Sequence, residues 1–350
     1  MDIMLVKYYG FYFDNNSNKH ILRDDFISNG FFRITQPKFL NDKGSEAKLF
    51  PYFNEFSPAD LAWARKRHDK IQKDPNYTPS EEELINFFLK PVGERYGEHF
   101  PHLLRMETDY ETMDEYDKDQ FTNIVEKMNH YMIEIISCQL GVLSLCKSDT
   151  NELMWTHYAS AGEGIAVTFK ESHEFFKKYV PKDVSYLPEK RASLTYYKGS
   201  IRINGEPIKT FTQPNITNPF AALIVLNKNG VDIQNFTERL IYAKAEKWKS
   251  EDEVRIICML NSCEHKTGKV ITPKLDIDFP QATLHSYSEI CLKKIPFDAF
   301  ESIVLGYGIS KANKNMIIEK VKANPELSHI KIKIAQHNIY GNLETTEINT

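Results

Sequence analysis

The sequence predicts an α+β fold, and three patterns carry that prediction. Short apolar runs of strand type alternate with amphipathic helical stretches, a long helical pattern feeds a buried strand near mid-chain, and a strand–helix–strand unit stands towards the C-terminus. At 350 residues, with 41% hydrophobic and 26% charged side chains, the composition is that of a globular protein with a full core. A single α+β domain over 1–350 accommodates it, with 47–113 as a helical insertion or lid.

Taken in order, Ile3 to Tyr9 has the apolar and aromatic pattern of a first strand, closed by the turn formers Asp14-Asn15-Asn16-Ser17-Asn18. A short helix is expected from Lys19 to Ser28, stopped at Asn29-Gly30, before a second strand from Phe31 to Thr35 that Pro37 ends. From Ala47 to Met113 the pattern turns polar and Pro-punctuated, with helices over Pro58–Lys73 and Ser80–Leu89. Asp119 to Gln139 is the clearest amphipathic helix, since Phe121, Ile124, Val125, Met128, Tyr131, Met132 and Ile135 recur at three and four residues. Gly141 should end it, and Val142 to Cys146 reads as a buried strand.

A compact unit follows: Asp149 or Thr150 caps a helix from Asn151 to Ser160, and Gly162-Glu163-Gly164 leads into the strand Ile165–Phe169. Val180 to Asn218 is rich in Tyr, Pro and Gly and suggests hairpins. Asn235 to Ala243 should be a helix entering the strand Val254–Leu260. The final unit is Ser302–Leu305, Asn313–Lys322 and Ile330–Ile334.

A formal net charge of -4 removes any global basic field, so whole-chain electrostatics do not point to nucleic acid. The five cysteines lie mostly in apolar runs without ligand spacing, which predicts reduced, buried thiols and no metal centre. No apolar stretch reaches the ~18 residues of a membrane span, and the start lacks a charged-then-apolar leader, so a cytoplasmic location away from membranes is expected.

Three segments concentrate chemistry. In Glu246-Lys-Trp-Lys-Ser-Glu-Asp-Glu-Val-Arg-Ile-Ile257, strand alternation would put Glu251, Glu253 and Arg255 on one side. Two carboxylates aimed at one place can hold a ribose hydroxyl and stabilise the oxocarbenium-like charge that forms as an N-glycosidic bond breaks. The competing explanation is a strand start in which Arg255 neutralises Glu253. The second segment joins Ser144 and Ser148 to Leu153-Met-Trp-Thr-His-Tyr-Ala159. There Trp155, His157 and Tyr158 could form an aromatic wall for a nucleotide, or simply core and structural hydrogen bonds. The third sets Lys7 and Tyr9 with Arg33, Thr35, Asn41 and Asp42, cations and hydroxyls suited to a pyrophosphate. Solvated strand residues would look the same.

On Tyr8-Tyr9, Phe39-Leu-Asn-Asp42, Leu153-Met-Trp-Thr-His-Tyr-Ala159 with Gly162 and Gly164, Lys247-Trp-Lys-Ser-Glu-Asp-Glu-Val-Arg255 and Ile303-Val-Leu-Gly306, the chain resembles an uncharacterised bacterial family, the domain of unknown function 2971. That family usually continues Asn-Asp with Pro-Phe, whereas here Lys43-Gly44 follows. The order of the blocks is similar to that of ADP-ribosyltransferases, which implies mixed sheets around a central cleft, NAD as substrate and no metal. On this resemblance the late Glu is Glu253 with Glu251 as partner, the second element is Ser144 or Ser148 with Tyr158, and the first is Lys7 or Tyr9 in place of the usual His or Arg.

The function so implied is NAD-cleaving ADP-ribosyl transfer or NAD glycohydrolysis, as in a toxin or anti-phage effector with a macromolecular acceptor, protein or nucleic acid, and an inhibitory partner. The alternative is a non-enzymatic nucleotide-sensing or protein-interaction module on the same scaffold. A metal-dependent nuclease is less favoured, because no third acidic ligand accompanies the glutamates at readable spacing.

Overall fold

Ile165-Ala-Val-Thr-Phe169 is buried at every residue, the pattern of a strand covered on both faces. It lies inside an eight-stranded mixed sheet ordered Leu343–Glu347, Lys331–His337, Phe300–Leu305, Ile165–Phe169, Leu5–Tyr9, Leu140–Cys146, Glu253–Met259 and Lys182–Asp183. The structure, a computed structural model, describes residues 4–15, 17–42, 44, 46–93, 95–208, 224, 226–273 and 285–348. Neighbours in this sheet are antiparallel except Phe300–Leu305 and Lys331–His337. The helix Lys311–Ala323 connects that parallel pair, which is the C-terminal unit the sequence pattern predicts.

One face of the sheet carries Leu5, Leu143, Leu145, Val167, Phe169, Val254, Ile256 and Ile303 into the main core. The other carries Val6, Tyr8, Cys146, Ala166 and Val304, covered by Trp155. A third cluster joins the long helix Met113–Gln139, through Phe121, Val125, Met128, Met132 and Ile135, to Leu194, Ile201 and Ile203 of a four-stranded sheet. The thiols behave as the composition suggests: all five cysteines are free, and all but Cys138 are buried.

Several local expectations are corrected. Lys19–Leu22 is a strand hairpinned to Phe11–Asp14, and only Phe26–Asn29 is helical. Residues 11–14 and 19–22 flank a turn with Asn18 at φ 53°, so hydrogen bonds across the hairpin outweigh the weak helical pattern. The segment 47–113 is not wholly helical, since Phe50–Phe53 pairs in parallel with Ser193–Tyr197. Pro58–Ile71 and Glu81–Leu84 are helices, each opened by a capping box, from Ser57 with Asp60 and Ser80 with Glu83. Hairpins do fill 193–208, whereas 209–218 lie outside the described residues.

Gly141 does not end the long helix; it lies inside the strand Leu140–Cys146. A Cβ there would stand 2.6 Å from Ile34 Cγ2, so glycine allows the segment at Thr35 to close on the strand, where Thr35 bridges Val142. This matters for the neighbouring strand. Leu5–Tyr9 pairs along its whole length with Ile165–Phe169 but registers with Leu140–Cys146 at one pair, Val6 with Cys146. The sheet therefore splits beyond that pair.

Candidate functional site

A hollow of about 120 Å³ occupies the split, walled by Lys7, Tyr8, Thr35, Leu40, Ser144, Met154, Tyr158, Glu46, Lys244, Glu251, Glu253 and Arg255. Three elements bring the acids together. Glu251 ends the 3-10 turn Glu246–Glu251, Asp252 takes the left-handed conformation at φ 45°, and Glu253 opens the strand. Glu251 and Glu253 thus converge through a turn, which corrects the expectation that strand alternation aligns them. Only Glu253 and Arg255 share a strand face.

Lys244, which follows the helix Ile233–Ile241, is the hub. Its ammonium lies 2.5 Å from Glu251, 3.1 Å from Glu253 and 3.7 Å from Glu46. Arg255 Nε donates to Glu253 at 2.7 Å, and its Nη2 reaches both Glu253 and Glu46, while Nη1 donates to the Ile241 carbonyl at 2.5 Å. Tyr158 donates to Glu251 at 2.9 Å, and the Glu253 amide donates to the Tyr186 hydroxyl at 3.2 Å. Lys7 spans the split and donates to the Ser144 carbonyl at 2.8 Å.

These contacts set the ionisation. Burial would raise the Glu253 carboxyl, but Arg255 and Lys244 overcome it and hold it at about 2. Burial acts downward on Lys244, yet Glu253, Glu46 and Glu251 raise it above its ordinary value. Lys7 is brought down to about 8 by burial, with Glu253 opposing the fall. Tyr158 is pushed up to about 12 by burial and by Glu251. At neutral pH the hollow therefore presents ionised Glu253, a charged Lys244 and a phenol that can donate.

The sequence-derived candidates divide. Glu251, Glu253, Tyr158, Ser144 and Lys7 line the one hollow. Trp155 is fully buried behind it, edge-on to Tyr8 at 5.0 Å, with its indole donating to the Asp149 carbonyl at 2.8 Å; it is core and not a wall. His157 is exposed on the far side of its helix, because Met154 and Tyr158, four residues apart, take the inner face. Tyr9 stacks on Phe26 at 4.9 Å, Ser148 bonds Thr150 at 3.0 Å, and Arg33 is exposed on the separate strand Phe31–Ile34; none of the three lines the hollow.

Sequence reasoning missed Lys244, Glu46 and Tyr186. Lys244 could have been suspected as a lone lysine between two alanines at a helix exit, where a solvated charge gains little. Glu46 and Tyr186 carry no local signal, since what distinguishes them is contact across the fold.

Among the described residues, no group of three or more His, Cys, Asp or Glu is placed to hold a metal ion, and no helix is long and apolar enough to cross a membrane. No curated protein and no solved structure matches the chain significantly. One family model does, and its span runs from the helix bearing Tyr158 to the strand bearing Glu253 and Arg255: residues 154–256 match the family described as Protein of unknown function (DUF2971).

Proposed function

We propose that this protein cleaves NAD at the bond between ribose and nicotinamide, as an ADP-ribosyltransferase or an NAD glycohydrolase. The observation that carries the reading is the convergence of Glu251, Glu253, Tyr158 and Lys7 on one hollow where the central sheet splits. In the reaction the C1′–N bond breaks heterolytically and nicotinamide leaves with the electron pair. The ribosyl cation is captured by an acceptor that then gives up its proton. Glu253, ionised at neutral pH, holds the ribose 2′-hydroxyl and stabilises the charge at C1′. Glu251, hydrogen-bonded to Tyr158, orients the attacking group, and Lys7 contributes positive charge towards the pyrophosphate. A toxin or defence effector that modifies a macromolecule is the role this chemistry suits.

A second reading is favoured by one feature of the same site. Both glutamates are closed into ion pairs with Lys244 and Arg255, as a structural brace would require, so the hollow could bind a nucleotide without cleaving it. Nicotinamide release separates the two. Purified protein incubated with NAD and candidate acceptors should release nicotinamide; Glu253→Gln should slow release at least ~100-fold, the scale of losing one preorganised electrostatic contact. Glu251→Gln should depress acceptor labelling more than release. Rates are compared where circular dichroism shows each variant folded, and a folded wild type that leaves NAD intact with every acceptor rules out the enzymatic reading.

A further inference from the structure

A second hollow, of about 850 Å³, adjoins the first and shares Leu40 and Glu46 with it as a common wall. It runs between the segment 37–55 and the long helix Met113–Gln139, with Phe53, Phe121, Val125 and Ile133 among its apolar lining. Lys48 lines it without a carboxylate partner among the described residues, and Thr122 lines it from the exposed face of the helix.

Size assigns the two hollows different parts of one ligand. Sites for nucleotide-sized molecules run to roughly 300–1,000 Å³, so 120 Å³ accepts a nicotinamide ring and its immediate surroundings but no whole dinucleotide. The remainder must continue into space contiguous with the inner hollow. Of the other cavities found among the described residues, those at 68–88 and 138–291 share no wall residue with it. The larger groove does, and its lining offers apolar and aromatic groups for a flat ring, the carboxylates Glu55 and Glu126 to accept from sugar hydroxyls, and Lys48, two residues along the chain from Glu46, for phosphate.

We propose that this groove is the adenosine subsite of the dinucleotide, with the pyrophosphate crossing between the two hollows beside Leu40 and Glu46. The inference rests on the NAD reading above for its ligand, but it concerns binding and can be tested without turnover. The probes are adenosine, AMP, ADP-ribose and nicotinamide mononucleotide, measured by titration calorimetry on the full chain. Wild type should bind AMP and ADP-ribose. Thr122→Trp, which fills the groove from an exposed helix position, should weaken both at least ~10-fold and leave nicotinamide mononucleotide and the thermal midpoint unchanged. Lys48→Ala, the second variant, should weaken ADP-ribose more than adenosine.

Loss of ADP-ribose binding in Thr122→Trp alongside a wild type that releases no nicotinamide would sustain the subsite and remove the cleavage reading. Nicotinamide release with ADP-ribose affinity indifferent to both substitutions would keep cleavage and overturn the subsite. A wild type that binds neither AMP nor ADP-ribose overturns it outright.

Discussion

Arg255 is the side chain on which the candidate site depends most, because a guanidinium 1% exposed joins Glu253, Glu46 and the end of the helix Ile233–Ile241. Charges taken out of water are tolerated only while paired, and removing one partner leaves the other uncompensated. Arg255→Met is therefore expected to cost about 3–5 kcal/mol of folding stability, measured by urea denaturation. A loss below about 1 kcal/mol would show that the network does not brace the fold. The same reasoning changes what Glu253→Gln reports: the substitution breaks pairs with Arg255 and Lys244, so part of its effect will be on stability. Tyr158→Phe is the cleaner probe of chemistry. It removes one hydroxyl at 2.9 Å from Glu251 and leaves the ring in place, so about 1 kcal/mol of stability is at stake. If Glu251 orients the attacking group only when held by that phenol, acceptor labelling should fall several-fold while the unfolding free energy drops by no more than about 1 kcal/mol.

At the scale of elements, the site exists because two neighbouring strands stop pairing. Leu5–Tyr9 leaves Leu140–Cys146 after one registered pair, and Thr35 takes up the vacated edge at Val142. Gly141 permits that approach: a Cβ would sit 3.2 Å from the Thr35 backbone as well as against Ile34. Gly141→Ala should push the segment outward, destabilise by about 1–3 kcal/mol and speed amide exchange at Thr35 and Val142. Unchanged exchange at those two amides would mean that the split does not depend on this contact. The strands that carry the site were legible in sequence, because Val142–Cys146 and Ile165–Phe169 are mostly apolar, each broken by one hydroxyl residue, and Val254 and Ile256 flank Arg255 in strand alternation. The Lys19–Leu22 strand was not, since Lys-His-Ile-Leu has no burial pattern that distinguishes strand from helix, and only the hairpin partner decides. Glu251 and Glu253 were legible as a pair, but for the wrong geometric reason. Their convergence comes from a left-handed Asp252, and the network that holds them runs through Lys244 and Arg255 to a third carboxylate, Glu46, whose placement no local window contains.

Across the whole molecule, Glu253 and Lys7 couple the split to pH at opposite ends of the scale. Glu253 titrates at about 2 when folded and near 4.5 when free, so its contribution is complete above about pH 4.5 and is lost as pH falls towards 2. Lys7 acts at the alkaline end of the scale with the same sign. Burial lowers it to about 8 from 10.5, and the charges that bear on it are Glu253, which opposes the fall, and Arg23, which adds to it. Between about pH 8 and 10.5 the unfolded chain binds more protons than the folded one at this position, so this lysine makes stability rise with pH through that window. Lys244 does not cancel the rise, because its value is raised and its contribution is lost only above the ordinary lysine range. The charge that Lys7 offers to an anion disappears over the same interval. The Lys7 contribution to stability should therefore climb while affinity for ADP-ribose declines above about pH 8, against the opposite pull of the buried cysteine thiols, whose raised values make their own contribution fall over the same range. Lys7→Met isolates the effect: its difference from wild type in unfolding free energy should shrink as pH rises from about 8 to 10, and its ADP-ribose affinity should lose the decline. Urea melts and calorimetric titrations of both proteins at several pH values supply the comparison. Parallel stability curves for wild type and Lys7→Met would place Lys7 outside the enclosed split and leave the pyrophosphate without its proposed cation.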